Sequence, residues 1–299
     1  MRLSLRSDRG NGGRISPWFK NILRILVAGV VFLYFAVPAA LLHWDVDRLV
    51  FSAQSDDRTH EDRRFDVAVS PETTVVVRRY GDAGHACAFF FPGQHGGIGS
   101  YERTLFPLIR EGGADVYAIS YPGQDGAMGR SDIALLPDQV ALAVSRVSAA
   151  EHCRMERSVF VGRSLGATVA LVEASKFKPR GVLVDGLGAD LSSVVRAWIR
   201  RHPALAGWQV LPVHELLGQR DYSAASLFGQ ISSVPVSVFQ GTEDVVTPYA
   251  LARSTAAGHP NVVFTTVDGG THEDAYVLAG TAYVDSLRLL LDVDTSRSR

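Results

Sequence analysis

The stretch Ser158-Val-Phe-Val-Gly162-Arg-Ser164-Leu-Gly166-Ala-Thr-Val-Ala170-Leu-Val-Glu-Ala174 decides how the chain is read. Its first residues are a short apolar run rich in β-branched and aromatic side chains, the composition of a buried strand. Its last residues are good helix formers. Between them lies G-x-S-x-G. A strand, this turn and a helix in that order make a nucleophile elbow, in which the serine sits on a strained turn with its hydroxyl exposed. Gly162 and Gly166 have a steric role, because strand and helix pass each other within side-chain distance. Glycine and serine are common in loops, so the motif gains its meaning from its flanks.

Working outward, the same alternation recurs. Strand-like runs are expected at Phe65–Val69, Thr73–Tyr80, Ala86–Phe91, Val116–Tyr121, Ser158–Val161, Gly181–Val184, Val236–Gln240 and Val262–Val267. The first two read as a hairpin turning at Ser70-Pro71-Glu72. Helical segments are expected at Tyr101–Glu111, Ile133–Ala150, Leu165–Lys176, Thr247–Ala257 and Asp274–Leu291. Strands alternating with helices predict an α/β fold with a mostly parallel sheet flanked by helices, and a site beyond the carboxyl ends of the strands. Residues 188–232 interrupt the alternation with helical pieces broken at Pro203 and Pro212, and read as a small cap over that crevice.

A serine hydroxyl needs a base, and the base needs an orienting acid. Downstream of Ser164, the Val236–Gln240 run ends in Gly-Thr-Glu243-Asp244, and Val262–Val267 is followed by Asp268-Gly-Gly-Thr-His272. Asp244 and His272 therefore fall on the same rim as Ser164, in the order nucleophile, acid, histidine. Glu243 and Asp185 are alternative acids. His202 and His214 lie in the cap, and His259 precedes Pro260 in a connecting loop. An oxyanion needs two N–H donors. Leu165, opening the helix, supplies one; the loop Phe91-Pro92-Gly93-Gln94-His95-Gly96-Gly97 supplies the other, assigned to Gln94. That loop lacks the Gly-Lys-Ser/Thr ending of a phosphate cradle.

The amino-terminal part carries a different signal. Residues 25–42, ILVAGVVFLYFAVPAALL, run without a charge and are long enough for a transmembrane helix. Six basic residues precede the run against one acid, Asp8. The positive-inside rule then places residues 1–24 in the cytoplasm and the remainder outside it. A signal-anchor is preferred over a cleaved signal peptide, which Val37-Pro38-Ala39 would also permit, because the basic region is long. Residues 43–63 are polar and read as a juxtamembrane stalk, 64–291 as the catalytic domain, and 292–299 as a disordered tail.

At 299 residues with a formal net charge of −1, the chain can bury a large core and offers no basic stripe for nucleic acid. Its two cysteines form no Cys-x-x-Cys pair, so zinc and thioredoxin-like readings lack support. Cys87 and Cys153 are either buried free thiols or, in an oxidising compartment, one disulfide, since their strands are expected to be neighbours.

Five ordered segments, FFPGQHGGIGSY, DVYAISYPGQDGAMGRS, VGRSLGATVA, GTEDVVTP and GGTHEDAY, together resemble the α/β-hydrolase superfamily, most of all its membrane-anchored, Bem46-like members. The resemblance covers roughly residues 64 to 291. It implies a Ser164–His272–Asp244 triad, an oxyanion hole at Gln94 and Leu165, an acyl-enzyme route, and no metal or organic cofactor. Pro92-Gly93 stands where His-Gly is usual and Gln94 where Asn is frequent, which leaves a backbone donor intact. The anchor and the apolar cap, by location alone, point to a small-molecule or lipid acyl ester near a membrane; the cap resembles nothing that fixes a substrate. A peptidase, a thioesterase and a catalytically silent anchored binding module are the alternatives.

Overall fold

The apolar runs without strict alternation become the centre of one sheet, because such strands must be covered on both faces. The computed structural model describes residues 16–51, 60–94 and 97–292. Eight strands form the sheet: β1 (Arg63–Ser70), β2 (Thr73–Tyr80), β3 (Ala86–Phe91), β4 (Ala114–Ser120), β5 (Ser158–Arg163), β6 (Gly181–Asp185), β7 (Val236–Gly241) and β8 (Val262–Val267). Their spatial order is β1-β2-β4-β3-β5-β6-β7-β8. The β1–β2 hairpin joins antiparallel to β4, and all later pairings are parallel.

Successive side chains of a strand point to opposite faces. Phe89, Phe91 and Phe160 accordingly enter one core, with α4 (Leu136–Glu151) and α5 (Leu165–Phe177) packed on it. Phe90, Val159 and Val161 enter the other, beneath α3 (Leu105–Glu111) and α10 (Ala275–Leu291). The fold is the expected mostly parallel α/β sandwich.

The insertion after β6 forms α6 (Leu191–Arg200), a 3-10 segment at Pro203–Val210, α7 (Val213–Leu217) and α8 (Ala224–Gln230). Pro203 opens the 3-10 segment and Pro212 precedes α7, as rings that cannot continue a helix do. The expected cap boundary at 232 is too late. Leu227 and Phe228 of α8 are buried in the main core, so α8 belongs to the body. α9 (Tyr249–Ala256) then follows β7.

The amino-terminal helix α1 spans Pro17–Trp44, wider than the apolar run itself. Among the described residues it is the one helix long and apolar enough to cross a membrane, with a mean hydropathy of 2.6 over its best window. Residues 43–63 depart from the expected stalk. Val46 and Val50, one turn apart on α2 (Val46–Val50), are buried against Leu211, Val213 and Leu217 of the cap. Asp47 accepts the Ile133 amide at 2.7 Å. A short apolar i, i+4 pair inside a charged segment is enough to fold it onto the domain. Residues 52–59 of that segment, residues 1–15 of the expected cytoplasmic stretch and 293–299 of the expected tail lie outside the described residues.

Cys87 on β3 and Cys153 before β5 are joined as a disulfide, with Cα atoms 5.8 Å apart. The bridge closes a separation of 66 residues, and a loop of that size is worth about 4 kcal/mol through the unfolded chain. Oxidised protein is expected to show no free thiol on denaturation. The Cys87→Ala/Cys153→Ala double variant is expected to melt roughly 10 °C lower.

Glu173 on α5 is fully buried. One of its oxygens receives Lys176 at 3.1 Å and the other has no partner. Burial pushes the carboxyl up to about 7, against the pull of Lys176. A carboxyl raised in the folded state contributes stability that is fully present below its unfolded value of about 4.5 and lost as pH rises through about 7. Glu173→Gln, which mimics the protonated form, is therefore expected to stabilise the protein at pH 8.5 by about 2–3 kcal/mol. At pH 4, below the unfolded value, the difference should nearly vanish, as paired melting curves at the two pH values will read.

Candidate active site

β5 delivers Ser164 to the carboxyl rim of the sheet, and α5 starts at the next residue. Ser164 has φ 55° and ψ −120°, outside the regions open to ordinary L-residues. It is held there by its amide, which donates to the Asp185 carbonyl at 2.9 Å. The flanking glycines serve proximity. A Cβ on Gly166 would overlap the Phe91 carbonyl, and one on Gly162 would overlap the Gly166 carbonyl. The turn thus aims the hydroxyl away from the sheet while strand and helix cross in contact.

His272, in the loop between β8 and α10, approaches from the other side. Its Nε2 lies 2.9 Å from Ser164 Oγ, and its Nδ1 lies 2.8 Å from Asp244 Oδ2. A Cβ on Gly186 would stand 3.0 Å from the imidazole Cε1, so the residue after β6 must be small where the ring passes. Asp244 is buried and saturated. Its Oδ1 accepts the Val246 and Thr247 amides at 2.8 and 2.7 Å. Its Oδ2 accepts the Thr247 hydroxyl at 2.7 Å and the Gln240 side-chain amide at 3.0 Å. Burial alone would raise the carboxyl, but the donors of His272 and Thr247 outweigh it and hold Asp244 below its usual range.

The alternative residues are placed elsewhere. Glu243 is exposed, its amide spent on the Gly270 carbonyl at 2.9 Å. Asp185 lies 3.3 Å from Arg163 Nε in a buried ion pair, its carboxyl pushed up to about 6 by burial while Arg163 opposes. His214 pairs with Asp221 at 2.7 Å, His202 with the Trp198 carbonyl at 2.7 Å, and the His259 ring lies tilted against Phe228, centroids 5.4 Å apart.

Arg163 is a further residue of the candidate site that the sequence reading passed over. Buried beside Ser164, its guanidinium donates to the His272 carbonyl and, at 3.1 Å, to the Tyr101 hydroxyl. It ties the histidine loop to the elbow strand. Its signal is a charged residue at the end of an otherwise apolar strand. Gln240 and Thr247 were also missed; a lone amide inside the apolar β7 run and a Thr three residues past Asp244 were their signals.

Of the expected oxyanion donors, Leu165 opens α5, where a helix leaves its first N–H groups without helical partners. The β3 loop passes so close to Ser164 that a Cβ on Gly93 would stand 3.4 Å from Ser164 Cβ. Gln94 lines the same cavity, its carbonyl held by the Gln124 amide at 3.0 Å. His95 and Gly96 of that loop lie outside the described residues. The cavity has a volume of about 840 Å³ and includes Ser164 and His272 in its wall.

An eight-stranded, mostly parallel sheet with a serine elbow at its rim is the α/β-hydrolase fold, and solved structures agree. An esterase from Pyrococcus furiosus superimposes over 81% of this chain and 98% of its own, with a TM-score of 0.62 at 12% identity. An α/β hydrolase from Novosphingobium aromaticivorans covers 78% of this chain and 99% of its own, with 0.54 at 16% identity. A bromoperoxidase from Bacillus anthracis covers 77% and 100%, with 0.56 at 12% identity. No protein-family model and no curated protein sequence matches the chain. At these identities the likeness is one of fold, shared by esterases and a bromoperoxidase alike, and does not single out the narrower Bem46-like group.

Proposed function

We propose that the protein is a serine hydrolase that cleaves an acyl ester through an acyl-enzyme intermediate. The carrying observation is the unbroken relay from Ser164 to His272 to Asp244, at 2.9 and 2.8 Å, opening into the cavity. His272 Nε2 takes the Ser164 proton as Oγ attacks the acyl carbonyl. The backbone N–H groups of Leu165 and Gln94 receive the oxyanion. His272 then gives its proton to the leaving alcohol, and a water activated by the same nitrogen releases the acid. Asp244 keeps the Nδ1 proton in place and stabilises the imidazolium.

The same reading makes α1 a signal-anchor, with its basic flank in the cytoplasm and the catalytic domain outside. The Cys87–Cys153 bridge supports that side, since disulfides persist in oxidising compartments. Hydrolysis of p-nitrophenyl butanoate by the full chain in detergent tests the activity. Turnover is expected at rates ordinary for esterases, about 1–10³ per second; acyl esters left intact across a range of chain lengths would count against it.

A further inference from the structure

The cavity at Ser164 is not closed by the hydrolase domain alone. Pro38, Leu41 and Leu42, in the last two turns of α1, and Val46, Leu49 and Val50 of α2 form one of its walls. The cap supplies the facing wall with Leu191, Val195, Trp198 and Trp208. The amino-terminal wall is pinned in place. The Tyr34 hydroxyl donates to the Ala204 carbonyl at 2.9 Å, and its ring lies 5.9 Å from that of Trp208. A Cβ on Gly207 would come within 2.8 Å of the Tyr34 ring, so the cap is glycine where the helix crosses it. Arg220 of the cap donates to the His43 carbonyl and lies 3.6 Å from Asp47. Upstream of this contact, Ile25, Val30 and Phe32 of α1 are exposed. The helix thus passes from an exposed apolar stretch to the cavity wall within two turns.

We infer that the end of the anchor helix is part of the substrate site, and that the site takes a long-chain acyl ester resident in the bilayer. Its acyl chain lies between the α1–α2 wall and the cap, with the ester carbonyl at Ser164. The inference rests on the hydrolase reading and deepens it. Lateral contact with the membrane removes the need to carry an insoluble chain through water. Apolar walls reward each additional methylene, by about fourfold in kcat/KM while room remains. Leu41 and Leu49 line the cavity and are 37% and 60% exposed, so enlarging them does not break the core.

A dodecyl fluorophosphonate carrying a diazirine at the chain end tests this on the unaltered full chain in detergent. Once it is bonded to Ser164, irradiation is expected to crosslink it within residues 38–50, read by peptide mass spectrometry. An adduct on Ser164 whose crosslinks fall only in the cap or the β3 loop would overturn the inference and leave the hydrolase reading standing. Absence of any Ser164 adduct would overturn both. In steady-state assays Leu41→Trp, displacing room for about two methylenes, is expected to lower the dodecanoyl-to-butanoyl ratio of kcat/KM by about 15-fold. An unchanged ratio in both Leu41→Trp and Leu49→Trp would contradict it.

Discussion

Ser164→Ala is expected to lower kcat toward acyl esters by four orders of magnitude or more while leaving the melting temperature nearly unchanged. The size follows from the chemistry: without Oγ there is no acyl-enzyme, and what remains is the weak assistance of positioned donors and a histidine to a passing water. The small structural effect follows from the geometry. The backbone at residue 164 is fixed by the amide bond to the Asp185 carbonyl and by the start of α5, neither of which uses the side chain. A steady-state assay beside a melting curve separates the two quantities. A variant that melts early would instead mean that the hydroxyl supports the turn.

The second large effect concerns Asp244. Asp244→Asn is expected to lower kcat by about 10³–10⁴ with little change in KM. The isosteric amide cannot choose its orientation freely here. The Val246 and Thr247 amides at 2.8 and 2.7 Å demand an acceptor at the Oδ1 position. The carboxamide oxygen must therefore go there, which places its NH2 toward His272 Nδ1, 2.8 Å away. A donor at that point forces Nδ1 to accept and moves the ring proton to Nε2. Nε2 then faces Ser164 with a hydrogen instead of a lone pair and cannot act as base. The Gln240 side-chain amide and Thr247 hydroxyl, both donating toward the same position, would add a local clash. Comparing Asp244→Asn with Asp244→Ala by kcat and KM measures how much of the loss is this tautomer.

Much of the scaffold was legible because apolar runs bounded by Gly, Pro or Asp leave little freedom in where a strand begins. Thr73–Tyr80, Ala86–Phe91 and Val262–Val267 coincide with β2, β3 and β8 end to end. Helix starts were placed early. Ile133 precedes α4 by an irregular turn, and the helix proper begins at Leu136, where Pro137 at its first positions suits the open N-terminus. Likewise Ile98–Tyr101 is a separate 3-10 turn, and α3 waits until Leu105.

The candidate triad could be picked out because each member follows a strand on one rim, and chain order then limits the pairings. What holds the triad was not readable. Gln240 and Thr247 bind Asp244 from three or four residues away, and Arg163 reaches the His272 loop across the sheet; a lone amide, a Thr or a charge in apolar surroundings does not say which partner it takes. The α1–α2 wall was misread for a related reason. Asp45-Val-Asp-Arg-Leu-Val50 looks polar by composition, and only the surface waiting on the cap turns Val46 and Val50 into core.

The central claim is that Ser164 is a nucleophile activated by His272 and Asp244. Mass spectrometry of the full-length protein after treatment with a simple fluorophosphonate tests it most directly. One adduct is expected, mapped to the peptide containing Ser164 and absent from Ser164→Ala. No adduct on the unaltered protein, or an equal adduct on Ser164→Ala, would contradict it.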